Sequence, residues 1–174
     1  SFLTALSIIS LALFDLVPIE ITNENGSRII LYIILCYSGF SFITTLIREI
    51  IKDLEDTEGD KKIGAITLAI KYSLKKTKNI TSALILTAIL GISYFQYFQY
   101  SVKASTFSIE LSYWGGDLIA IIYTSLLQIL LILLLIKIRI SNTKVEFHYL
   151  SSLCKFIMLV GILSIPIFTY IHLN

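Results

Sequence analysis

The chain has 174 residues, 56% of them hydrophobic and only 15% charged, with a net charge of +2. Soluble domains carry about a quarter charged residues, and the mean hydropathy of +0.83 reflects long apolar runs that a soluble core does not need. No nucleic-acid partner is expected.

Five runs are long enough to cross a bilayer as helices, at about 20 residues each: Phe2–Ile19, Ile29–Ile47, Ile80–Phe98, Leu118–Ile138 and Leu153–His172. None alternates with period two, which argues against a membrane β-barrel. In lipid the backbone must satisfy its own hydrogen bonds, which leaves helices. The expected fold is all-α: a polytopic bundle of five transmembrane helices. The chain begins at Ser1, already inside the first apolar run and without a signal-peptide pattern. It is therefore expected to be the C-terminal piece of a longer protein, with residues 1–174 forming one part-domain.

Basic residues alternate sharply between the connections. Arg48, Lys52, Lys61, Lys62, Lys71, Lys75, Lys76 and Lys78 lie between the second and third runs, and Lys137, Arg139, Lys144 and Lys155 lie around the last connection. The other connections hold Arg28 and Lys103. The positive-inside rule places segments 48–79 and 139–152 in the cytoplasm.

In chain order, the first run ends near Pro18, and Thr22–Ser27 reads as a turn-rich outer connection. The second run continues without Pro or Gly from Phe42 to Glu58, so its helix is expected to leave the membrane and reach about Thr57. Gly59 and Gly64 read as its end and a turn. Ile63–Tyr72 is expected to form a short amphipathic helix on the interface, and Lys75, Lys76 and Lys78 can meet anionic head groups. Tyr94–Tyr100, Tyr113 and Trp114 read as an outer aromatic belt. Ser141–Ser152 reads as a plain polar connection. Asp15 and Asp117 lie near outer boundaries, Gln128 is suited to an interhelical hydrogen bond, and Cys36 and Cys154 read as packing residues.

The stretch from Arg48 to Thr67, R-E-I-I-K-D-L-E-D-T-E-G-D-K-K-I-G-A-I-T, holds Glu49, Asp53, Glu55, Asp56, Glu58 and Asp60, half of the chain's 12 acids. On a helix, Glu49, Asp53, Asp56 and Asp60 share one face. Like charges so spaced repel, so the stripe makes sense against a cation, or as a solvated face in which Lys52 pairs with Asp56. Carboxylates suit Mg²⁺ or Ca²⁺. An EF-hand starting at Asp53 fails, because Gly59 falls one place beyond the required glycine and Gly64 replaces the bidentate glutamate. Mg²⁺ takes one or two carboxylates and completes its shell with water and phosphate. Arg48, Lys52 and Lys61 are placed to bind outer oxygens of a diphosphate.

The string K-D-L-E-D-T-E-G-D-K-K-I-G-A-I-T-L resembles the second aspartate-rich motif of the UbiA superfamily of intramembrane prenyltransferases. The D-x-x-x-D core falls on Asp56 and Asp60, and G-x-x-T on Gly64 and Thr67. The R-E-I-x-K-D lead-in, with Asp53 as an extra acid, resembles the branch that includes geranylgeranylglyceryl phosphate geranylgeranyltransferases. The resemblance implies that these spans are helices five to nine of a nine-helix fold, with segment 48–79 as the cap. It also implies Mg²⁺-dependent transfer of an isoprenyl group from a prenyl diphosphate to a lipid or aromatic acceptor, a glycerol phosphate lipid first and a quinone-precursor ring second. Asp56 and Asp60 would hold Mg²⁺ with help from Asp53, while Lys52, Lys61 and Arg48 bind diphosphate. Tyr32, Tyr37, Phe40 and Phe42 could stabilise an allylic cation, and the tail would lie along the spans among membrane lipids. No first motif of the N-x-x-x-D-x-x-x-D type occurs, so the piece holds half the metal site and is expected to be inactive alone. No general base can be placed: His148 lies in another loop and His172 at the outer end. The competing reading is a non-catalytic polytopic membrane protein, a transporter fragment or assembly subunit, with a solvated acidic loop.

Overall fold

The computed structural model describes residues 24–101 and 118–173, and among them finds helices and no strand. The elements are α1 (Glu24–Glu55), α2 (Thr57–Lys62), α3 (Leu68–Lys71), α4 (Leu74–Ser101), α5 (Leu118–Ile140) and α6 (Lys144–Leu173). Among the described residues, α1, α4, α5 and α6 are the four helices long and apolar enough to cross a membrane. They correspond to the second to fifth runs; the first, Phe2–Ile19, lies outside the described residues, as do Asp15, Tyr113, Trp114 and Asp117.

Several boundaries differ from expectation. α6 begins at Lys144, so most of Ser141–Ser152, read as a connection, is helix. α1 already begins at Glu24, inside the stretch read as a turn-rich connection. At the other end α1 stops at Glu55, not Thr57, because Asp56 adopts φ −98°, ψ 12°. Helical bonding resumes at once, with the Asp60 N–H donating to the Asp56 carbonyl at 3.0 Å. The interfacial helix is a single turn, Leu68–Lys71. Gly64, at φ +69°, is the reason. Its N–H donates to the Lys61 carbonyl at 3.4 Å and the Ala65 N–H donates to the Asp60 carbonyl at 3.0 Å, the Schellman closure that ends a helix. Ile63 and Ile66 are left 80% and 87% exposed.

The four long helices form a ring: α1 packs on α4 and α6, and α5 packs on the same two. Toward the Arg48 end the interior is filled. Ile47, Ile51, Leu131, Leu134, Ile138, Leu150 and Ile157 are almost wholly buried. Several hydroxyls inside the bundle bond back to their own helix, as Thr44 does to the Phe40 carbonyl at 2.8 Å and Thr81 to the Thr77 carbonyl at 2.9 Å, whereas Ser82 Oγ is buried without a partner among the described residues. Polar side chains also join helices. Gln128 donates to Ser93 Oγ at 2.9 Å and Gln96 donates to Thr124 Oγ1 at 2.6 Å, so the bond expected of Gln128 forms between α5 and α4.

Toward the other end the ring opens into an apolar cavity of about 310 Å³. Tyr37, Phe40 and Ile43 of α1, Gly91 and Phe95 of α4, Tyr123 and Leu127 of α5, and Gly161 and Ser164 of α6 line it. Tyr37 and Ser164 share a hydrogen bond of 2.7 Å, and the Tyr123 hydroxyl donates to the Val160 carbonyl. Cys36 is exposed at this cavity rather than packed, whereas Cys154 is buried as expected.

Candidate functional site

The acid-rich segment folds as the end of α1, the bend at Asp56, and α2. Asp53 sits in the last full turn of α1, Asp56 at the bend and Asp60 in α2. Asp53 is partly buried, and the charges of Asp60, Glu49 and Asp56 act on its carboxyl. The four acids of the stripe thus stay within electrostatic reach of one another despite the break in the helix. Hard oxygen donors under mutual repulsion fit a divalent cation of the Mg²⁺ class. Among the described residues no three His, Cys, Asp or Glu side chains close into a metal cage. The acids are not gathered into a closed cation site by this part of the chain.

The basic residues divide by helix face. Lys52 and Lys61 are exposed, whereas Arg48 is partly buried. Arg48 is five positions before Asp53 and therefore about 140° around the helix, on the side where its charge reaches Cys154 of α6. Arg48 Nε and Thr67 Oγ1 are buried and have no hydrogen-bond partner among the described residues. Buried polar atoms are nearly always bonded, so two residues of the acid-rich segment retain unused donor capacity.

Asp56 pairs with Lys144, whose Nζ is 3.7 Å from Oδ1, and not with Lys52, four residues away. The neighbouring Glu55 places Oε1 2.8 Å from Nδ1 of His148. Both partners lie in the first turns of α6, in the connection that the sequence presents as plain. The start of that helix is fixed by a capping box, Thr143-x-x-Glu146. The N–H groups of Asn142 and Thr143 donate to Glu146 Oε2 at 2.7 and 2.9 Å. The Glu146 N–H returns to Thr143 Oγ1 at 3.4 Å. Lys78 of α4 donates to Asn142 Oδ1 at 2.9 Å, tying the same turn to a third helix. The capping box was legible as a T-x-x-E pattern; the two contacts to α1, joining residues about ninety positions apart, were not.

Phe42 is not among the cavity-lining residues, and the side chain of Tyr32 lies outside the described residues. Tyr37 and Phe40, which do line the cavity, precede Asp53 by 16 and 13 residues. At 1.5 Å rise per residue they sit about 20–24 Å from it along the helix.

No family model and no solved structure matches the chain. Several curated proteins do, all named digeranylgeranylglyceryl phosphate synthase. The protein of Methanosphaera stadtmanae is 48% identical over 64 residues, 36% of this chain and 24% of that protein. That of Methanocaldococcus jannaschii is 52% identical over 44 residues, 25% of this chain and 16% of its own length. The match to the Sulfurisphaera tokodaii protein is longer, 34% identical over 95 residues, 55% of this chain and 30% of the relative. The matches thus span less than a third of these relatives' lengths. They bear out the resemblance to UbiA-type prenyltransferases, on the branch toward which the R-E-I-x-K-D lead-in points.

Proposed function

We propose that this chain is the C-terminal part of a Mg²⁺-dependent intramembrane prenyltransferase. It moves an isoprenyl group from a prenyl diphosphate to a lipid acceptor, a glyceryl phosphate by analogy with the names of its relatives. The observation that carries this reading is the open stripe of Asp53, Asp56 and Asp60 at the end of an apolar membrane helix. A bound Mg²⁺ would neutralise charge on the departing diphosphate. Asp56 and Asp60 would hold it with help from Asp53, and Lys52, Lys61 and Arg48 would take outer phosphate oxygens through charge-assisted hydrogen bonds. The buried, unpartnered Nε of Arg48 supports a role for that residue as anion ligand.

The cavity suits the apolar tail and not the ionising carbon, because it lies too far from the acids for Tyr37 or Phe40 to stabilise charge next to the diphosphate. The interior between cavity and acids is filled by Ile47, Ile51, Leu131 and Leu134. A tail joining the two therefore runs along the outside of this four-helix ring. The Arg48 end, with its excess of lysines, faces the cytoplasm. Alone, the piece carries half of the metal site and is inactive.

The test is transfer of a labelled prenyl group by membranes bearing the full-length protein with Asp56→Ala or Asp60→Ala. Either change abolishes transfer. Transfer at the normal rate with both alanines would leave the acids as a solvated face of a non-catalytic membrane protein.

A further inference from the structure

We infer that Lys144 is a diphosphate-binding residue of the acidic site, one that keeps Asp56 paired until substrate arrives. The inference rests on the prenyltransferase reading above. Lys144 is the first residue of α6, and its backbone is fixed from two directions. The carboxylate of Glu146 accepts from the N–H groups of Asn142 and Thr143, and Lys78 holds Asn142 from α4. Glu55 and His148, one turn further along α6, hold the two helix ends together at 2.8 Å. The base of Lys144 is thus pinned beside the bend at Asp56, while its side chain is 71% exposed and free to turn.

The pair itself is loose. At 3.7 Å, with Asp56 44% exposed, it is an exposed ion pair of the kind that contributes little stability. Its value is positional: a flexible ammonium already stands where the charge on Asp56 must be shared. A divalent cation held by the Asp56 carboxylate would displace the ammonium, which would then be available to donate to a diphosphate oxygen. Lys52, Lys61 and Lys62 are closer in sequence to Asp56, yet none of them pairs with it in the structure. The lysine that does is 88 positions away and mounted on a rigid helix start. An ammonium serves as a compact point charge with three donors, suited to changing partners in this way.

Two binding measurements on the full-length protein in nanodiscs test this: Mn²⁺ binding without diphosphate, by electron paramagnetic resonance, and inorganic pyrophosphate binding at saturating Mg²⁺, by calorimetry. Lys144→Met removes the competing cation and binds Mn²⁺ about two- to fivefold more tightly. The same variant binds pyrophosphate about tenfold more weakly, while Lys144→Arg stays close to the wild type. The opposite signs of the two effects are the signature, because damage to the fold weakens both. K144M equal to wild type in both assays, or weaker in both, overturns the inference and leaves the proposed function standing. A wild-type protein that binds neither Mn²⁺ nor pyrophosphate overturns the proposed function and this inference with it.

Discussion

Glu55 and His148 meet across the ends of α1 and α6, with Oε1 of the carboxylate 2.8 Å from Nδ1 of the imidazole. Their exposures are unequal: the His148 side chain is 70% exposed and that of Glu55 only 14%. Removing the histidine therefore leaves a largely buried carboxylate without its partner, which costs more than losing an ordinary surface pair. His148→Ala is expected to destabilise the protein by about 1–2 kcal/mol. The further change Glu55→Gln in that background recovers part of the loss, because the buried charge goes with it. A double-mutant cycle on thermal unfolding in detergent checks both; additive losses would mean that the two groups act independently.

Gly64 ties the acid-rich segment to its geometry in a different way. It has φ +69° and closes α2 directly after Asp60 and Lys61. A Cβ there meets nothing within 4 Å, so the cost of a side chain is conformational and not steric crowding. Gly64→Ala is expected to cost about 1–2 kcal/mol, and Gly64→Asn less, since asparagine tolerates the left-handed region. Because the Asp60 carbonyl accepts from Ala65 in this turn, the alanine variant also weakens Mg²⁺ binding, measured by titration, more than the asparagine variant does. Equal affinities in the two variants would detach the turn from the site.

These two features show what the sequence could and could not express. The stripe Glu49, Asp53, Asp56 and Asp60 was legible because helical spacing is local, and Gln128 was legible because a lone amide in an apolar span needs a partner. Glu55–His148 and Asp56–Lys144 were not, because pairing between helices so far apart in the chain leaves no spacing to read. The end of α1 was misplaced by two residues. Nothing in the local run forbids helix at Asp56, and the bend is compatible with helical bonding on both sides. The short α3 was overestimated because Ile63 and Ile66 continue an apolar pattern that Gly64 interrupts.

The capping box at the start of α6 gives a prediction independent of any reaction. Glu146 satisfies two N–H groups that would otherwise lack partners, and Thr143 accepts a third bond. Thr143→Ala is expected to cost about 1 kcal/mol, and Glu146→Ala to destabilise in the same direction. The double variant should cost less than their sum, because each residue acts only when the other holds the turn. Amide hydrogen exchange resolves the effect: faster exchange should be confined to the first turn of α6 and to Asn142. Acceleration spread evenly over α6 would mean that the cap supports the whole helix.

Gly161 and Phe40 set the width of the apolar cavity. A Cβ built on Gly161 lies 2.9 Å from Phe40 Cε1, closer than side chains tolerate, and both residues line the cavity. Gly161→Ala therefore forces the ring to turn into the cavity or α6 to move away from α1. Overpacking of this kind costs about 1–3 kcal/mol, read as a lowered unfolding temperature. Phe40→Leu, which removes the ring, should restore most of it in the double variant. If the cavity receives the far end of the prenyl tail, Gly161→Ala also discriminates by length: the longest donors lose activity first and short ones keep it. Donors of different lengths, assayed side by side on the full-length protein, separate the two effects. A uniform loss across lengths would make Gly161 a packing residue alone, whereas a graded loss repaired by Phe40→Leu would place the end of the tail between these two side chains.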